Sequence, residues 1–108
     1  MAELERNHAV TLGTGLATVL APPTNWTAKA KVLLINVCNR GAAKAWFHLV
    51  LTKGGTDYKL VHQRDLEVGE VYPWTLPLTL ESGDALKGQA QSTNSIDVVI
   101  CGYEGVDT

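Results

Sequence analysis

The chain reads as all-β, an antiparallel β-sandwich of jelly-roll-like or immunoglobulin-like type with about seven to nine short strands. Three observations predict it. Short segments rich in Val, Leu, Ile and Thr follow one another with little room for a helix. Clusters of Gly, Pro, Asn and Asp separate them at sandwich spacing. Two segments, Val32-Leu33-Leu34-Ile35-Asn36-Val37-Cys38 and Ile96-Asp97-Val98-Val99-Ile100-Cys101-Gly102-Tyr103, carry apolar side chains on both parities. A strand with one wet face alternates apolar and polar residues, whereas one covered on both sides reads as a nearly continuous apolar run. A chain of 108 residues holds one sandwich core and not two, so the second face of these strands implies cover by another chain. Residues 1–108 are read as a single domain, with 1–7 an N-terminal arm and 104–108 a short tail.

Residues 8–14 alternate weakly and stop at Gly15, and residues 15–21 form a second short strand. Pro22-Pro23-Thr24-Asn25 breaks the chain, since proline removes a ladder donor and restricts its predecessor. Ala28 to Asn39 is the long strand, ended by Asn39-Arg40-Gly41. From Lys44 to Thr52, Ala45, Phe47, Leu49 and Leu51 take the core parity, and Trp46, His48 and Val50 the other. Lys53-Gly54-Gly55-Thr56-Asp57 closes a hairpin. Tyr58 to Asp65 follows, with Tyr58, Leu60 and His62 on one side. Glu67-Val68-Gly69-Glu70 turns the chain again. Pro73 and Pro77 confine 71–80 to an edge strand or an irregular crossing. Glu81-Ser82-Gly83-Asp84 precedes a short strand over 85–91, and the last strand spans 95–103.

Composition narrows the function. The chain is 45% hydrophobic and 19% charged, a balance that folds. A net charge of −2 with nine scattered Lys and Arg offers no footprint for nucleic acid. The acidic start Met1-Ala2-Glu3-Leu4-Glu5 is unlike a secretory signal, and no apolar run approaches the roughly 18 residues of a membrane helix. Neither a nucleic-acid nor a membrane partner is expected.

The chemistry-bearing residues do not converge. His8, His48 and His62 lack acids at metal-site spacing. Asp57, Asp65, Glu67, Glu70, Glu81 and Asp84 fall mainly in turns, without calcium-loop spacing. No Gly-x-Ser-x-Gly elbow occurs, and Asn25-Trp26-Thr27 matches the glycosylation sequon by pattern only. Cys38 and Cys101 read as two buried thiols behaving as small hydrophobes; a disulfide stays open, because a sandwich could bring their strands face to face. No enzyme activity, metal or cofactor is expected. Of the tryptophans, Trp26 follows the proline break, Trp46 lies off the core parity and Trp74 sits between prolines. Such residues are enriched at interface hot spots. The interface candidates are Leu34, Trp46, His48, Val50, Trp74, Val99 and Tyr103.

A family resemblance adds to this. The order of Ala21-Pro22-Pro23, Leu34-Ile35-Asn36-Val37-Cys38-Asn39-Arg40-Gly41, Asp57-Tyr58-Lys59-Leu60, Leu66-Glu67-Val68-Gly69-Glu70, Leu80-Glu81-Ser82-Gly83-Asp84-Ala85-Leu86 and the strand Ile96 to Glu104 resembles small β-sandwich virion proteins of tailed bacteriophages. The match runs from about Leu16 to Glu104, and its specificity lies in the order of short motifs. Trp46-Phe47-His48 departs from it, being bulkier than the usual residues of that strand. The resemblance implies a structural subunit of the particle: a capsid decoration or cement protein, or alternatively a neck, tail or baseplate accessory protein. Its partners would be itself, as a homo-oligomer such as a trimer, and other virion proteins such as the major capsid protein. Its location would be the virion, assembled in the bacterial host cytoplasm. A receptor- or glycan-binding β-sandwich module remains the other class.

Overall fold

The computed structural model describes residues 4–21, 30–81 and 83–104, with backbone alone for 4–6, 30 and 104. Pro22-Pro23, Trp26, its sequon and the tail from 105 on lie outside the described residues. Within them run β1 (Leu4–Thr11), β2 (Ala17–Leu20), β3 (Ala30–Asn39), β4 (Ala45–Lys53), β5 (Thr56–Leu66), β6 (Val71–Trp74), β7 (Leu78–Leu80), β8 (Ala85–Ala90) and β9 (Ile96–Glu104). No helix occurs among the described residues.

The strands form two antiparallel sheets, β1-β9-β3-β6 with β7 also on β3, and β2-β8-β4-β5. Strand β6 pairs with Ile35 to Cys38 and β7 with Ala30 to Val32, so the two lie end to end along one edge of β3. Counted as a single interrupted strand, they leave the strand orders 1-8-3-6 and 2-7-4-5, the arrangement of a jelly roll. The immunoglobulin-like alternative fails on the first two strands, which that fold keeps in one sheet and this chain puts in opposite sheets. The interruption has a local cause. Pro73 and Pro77 cannot donate to a ladder, and an edge position with one neighbour tolerates them.

Leu4 to Asn7, expected in an arm, pair with Cys101 to Glu104. Without them β9 would carry a long unpaired edge on that side. Gly54 and Gly55 take φ of +62° and +82°, the left-handed pair required by a two-residue hairpin turn. Strand β5 then departs from regular alternation. Leu49 pairs with Val61 but Val50 with Lys59, and Phe47 pairs with Arg64, so two bulges interrupt the ladder. Each bulge reverses the parity of the residues beyond it. The expected shared side of Tyr58, Leu60 and His62 is therefore lost: Leu60 packs against the core, while His62 is exposed and stacks on His48.

The space between the sheets is filled by apolar side chains. Ile35, Val37, Ile96 and Ile100 from one sheet meet Phe47, Leu49 and Leu86 from the other, all at 0% exposure. Fully burying each such side chain contributes about 1.5–3 kcal/mol. Two polar ties close the ends. Asn39, also fully buried, donates its Nδ2 to the carbonyls of Ala43 and Leu66 at 2.9 Å each and accepts the Gly41 amide on Oδ1. Its backbone exchanges hydrogen bonds with Glu70 and Gly69. One side chain thus joins the β3–β4 turn to the β5–β6 turn.

At the far end, Lys53 Nζ lies 2.6 Å from Asp84 Oδ2, which also accepts the Glu81 amide. The Lys53 hydrogen bond and then the Glu81 amide hold the Asp84 carboxyl below the usual carboxylate range. A depressed carboxylate contributes stability that is fully present above its unfolded value, here 3.8, and is lost as pH falls through the folded one. Thermal melts followed by circular dichroism should fall steeply below about pH 4. Lys53→Met should flatten that fall, because the pair that depresses Asp84 is gone.

Candidate functional site

Cross-strand register assigns the outward face of the β1-β9-β3-β6 sheet, since residues directly opposite share a face. Val99 lies between Ala9 and Asn36, Cys101 between Asn7 and Leu34, and Asp97 between Thr11 and Cys38. Val71 and Pro73 of β6 continue the rows beside Cys38 and Asn36. The centre of this face is apolar apart from Asn36, with Val99 37% and Val71 47% exposed. Polar groups close both ends, with Lys31 opposite Tyr103 at one and Thr11, Arg40 and Asp97 at the other. Arg40 Nε and Thr11 Oγ1 each meet Asp97 at 2.7 Å. Burial pushes the Asp97 carboxyl up, but the hydrogen bonds from Arg40 and Thr11 with the Arg40 charge outweigh it and leave it below the usual range. A shallow concavity of about 370 Å³ is lined by Ala9, Val10, Thr11, Arg40, Asp97 and Val99.

The outward face of the β2-β8-β4-β5 sheet is different in kind. Trp46 and His48 alternate outward on β4, with ring centroids 4.6 Å apart. The second β5 bulge brings His62 against the other side of His48, nearly parallel at 4.7 Å. At that bulge Gln63 adopts φ of +50°, and its backbone N–H donates to His48 Nδ1, 2.8 Å away. The hydrogen bond makes Nδ1 an acceptor and leaves Nε2 to carry the proton. Burial, then His62, then Lys59 hold the His48 imidazole below the ordinary histidine value. Beside the pair opens a concavity of about 220 Å³ lined by Leu16, His48, Val50, Lys59, His62 and Gln89.

The seven interface candidates therefore do not form one surface. Leu34, Val99 and Tyr103 belong to the first sheet, and Trp46, His48 and Val50 to the second. Trp74 is half-buried against the core, its indole N–H donating to the Leu76 carbonyl. Cys38 and Cys101 are free and half-buried. They are not face to face across the sandwich: they sit on adjacent strands of one sheet, Cys101 opposite Leu34 and Cys38 opposite Asp97. Their thiols lie on the outward apolar face rather than in the core. No group of three or more His, Cys, Asp or Glu suited to a metal occurs among the described residues. The sequence gives no sign of His62 and Lys59 as partners of His48, since regular counting back from the Gly54–Gly55 turn puts Val61 opposite His48 and only a bulge puts His62 there.

No protein-family model and no curated protein matches the chain. Among solved structures it is similar to a pentameric capsid protein isolated from metagenomic phage sequences, with a TM-score of 0.49 and 16% identity over 91% of this chain and 61% of that one. A second structure of such a pentameric capsid protein gives 0.44 and 17%, covering 90% and 58%. The infectious bursal disease virus Gx strain gives 0.35 and 10%, covering 98% of this chain and 35% of that one. The chain thus spans about three fifths of the length of the two phage proteins. The jelly-roll assignment rests on its own strand order.

Proposed function

We propose that the chain is a non-enzymatic structural subunit of a virion, packing against neighbouring chains by the outward face of its β1-β9-β3-β6 sheet. One observation carries this reading. The middle of that face presents Ala9, Leu34, Val99, Cys101, Val71 and Pro73 around the single polar Asn36, where a solvated sheet face would be mainly polar. Jelly rolls serve capsid, lectin and cupin domains alike, so the face chooses and the fold does not. Contiguous apolar surface beyond a few hundred Å² marks an interaction site on a soluble domain. At ~25 cal/mol per Å² its burial gives several kcal/mol before association costs. The finer assignment, a capsid decoration or cement protein of a tailed-phage particle, is supported by the motif order that includes Asn36-Val37-Cys38-Asn39-Arg40-Gly41. On that assignment the chain forms a homo-oligomer, binds the major capsid protein and is assembled into the virion in the host cytoplasm.

Val99→Lys tests it. Sedimentation should show the wild type associating and the variant weakened by at least about tenfold, or 1.4 kcal/mol, with unchanged circular dichroism. In the assembled wild type, Cys38 and Cys101 should react with a thiol reagent more slowly than in the dissociated variant. A wild type that sediments as a monomer and is absent from purified particles by mass spectrometry sinks the proposal.

A further inference from the structure

The concavity beside His48 has a lining that the assembly role does not use. Its titratable groups are two imidazoles and the Lys59 amine, and no carboxylate lines it among the described residues. Among those residues the Lys59 ammonium has no hydrogen-bond or ion-pair partner, and His48 Nε2–H remains available because the Gln63 amide occupies Nδ1. The nearby carboxylates are engaged or distant. On β5, Asp57 accepts the Thr52 hydroxyl and lies 3.8 Å from Lys87 of β8. Asp65 stands opposite Trp46, beyond the imidazole pair. Leu16, 44% exposed, and Val50 supply an apolar wall. Hydrogen-bond donors and positive charge therefore meet apolar surface in one small space.

We propose that this concavity binds a small carboxylate ligand, an organic or sugar acid, whose carboxylate is held by Lys59 and the imidazole pair and whose body lies on Leu16 and Val50. Burial first, and then His62 and Lys59, disfavour charge on His48, in keeping with a lining that carries cationic groups and no carboxylate among the described residues. His48 stays neutral, donating Nε2–H to the carboxylate while Nδ1 keeps the Gln63 backbone N–H, so the charge that holds the anion is that of Lys59. The site lies on the sheet opposite the face assigned to assembly, so Val99→Lys leaves it intact and either proposal can fail alone.

The test is an NMR titration of the full chain with glucuronate, acetate and glucose at about pH 7.5, where Lys59 is charged and carboxylic acids are ionised. Saturable shifts are expected at Gln63, Gln89 and both imidazoles with the two acids and not with glucose. Lys59→Gln and His62→Gln, both at exposed positions, should each weaken binding by at least about tenfold, with unchanged melting. Tighter binding of glucuronate than of acetate supports the proposal with a sugar acid as ligand; equal binding supports it with the carboxylate alone as the recognised group. No saturable response, an equal response to glucose, or variants that bind as the wild type would each overturn the proposal.

Discussion

Gly102→Ala is expected to cost at least about 3 kcal/mol of stability, the upper end for forced overpacking, and to show it as a large drop in the urea midpoint. A Cβ at Gly102 would lie 2.1 Å from the Lys31 carbonyl oxygen and 3.0 Å from Val32 Cα. Both are backbone atoms of β3, at the register shift between Val32 and Leu34, so no rotamer change relieves the contact. Either β3 and β9 separate or the bulge is rebuilt. Gly15→Ala is the control, because nothing lies within 4 Å of its Cβ position, and it should stay within about 0.5 kcal/mol of the wild type. Equal midpoints for the two variants would show that the approach of β3 to β9 yields easily.

Asn39→Asp is expected to cost about 4 kcal/mol at neutral pH, the scale of an uncompensated buried charge. The change keeps the side chain's shape and removes its two donors. A carboxylate would then face the Ala43 and Leu66 carbonyls that Nδ2 now satisfies. Protonation restores one donor, so the deficit relative to wild type should shrink as pH falls. Asn39→Ala should cost less, about 2–3 kcal/mol, since it leaves unpaired groups without a charge. Chemical denaturation of the three proteins at two pH values separates these cases. A pH-independent deficit would mean that the carboxylate finds water.

Local punctuation is legible in this sequence; long-range pairing is not. The Gly54–Gly55 hairpin, the proline-confined edge at 71–80 and the short strand after Asp84 are readable because glycine, proline and turn acids act over a few residues. The core parity of Ala45, Phe47 and Leu49 is readable for the same reason, as alternation is local. That Cys38 and Cys101 share a sheet is not, since apolar parity says that a strand has two covered sides but not which strand lies beside it. The same blindness merges Leu34, Val99 and Tyr103 with Trp46, His48 and Val50 into one set, although two sheets divide them. Asn39 is visible as part of a motif, but its role depends on Leu66, Gly69 and Glu70, far along the chain. Leu4 to Asn7 carry no alternation and join a strand through backbone pairing. His62 is hidden by the bulge at Gln63.

The strand order has a kinetic consequence. Among the described strands, β1 pairs with β9 alone and β2 with β8 alone, so the first two have no ladder until the last two exist. The β4–β5 hairpin closes through a two-residue turn, and so short a loop carries little closure entropy. The hairpin can form while the chain is still leaving the ribosome, but the β1-β9-β3-β6 sheet cannot close until Glu104 has emerged. Until then the β3 edge that will receive β9 stays open, with apolar side chains on both faces. Such high contact order slows folding and lengthens the exposure of an aggregation-prone edge. Pulsed hydrogen exchange should accordingly find β4 and β5 amides protected before those of β1. On the proposed assembly role, the sheet that meets neighbours is thus also the one that closes last.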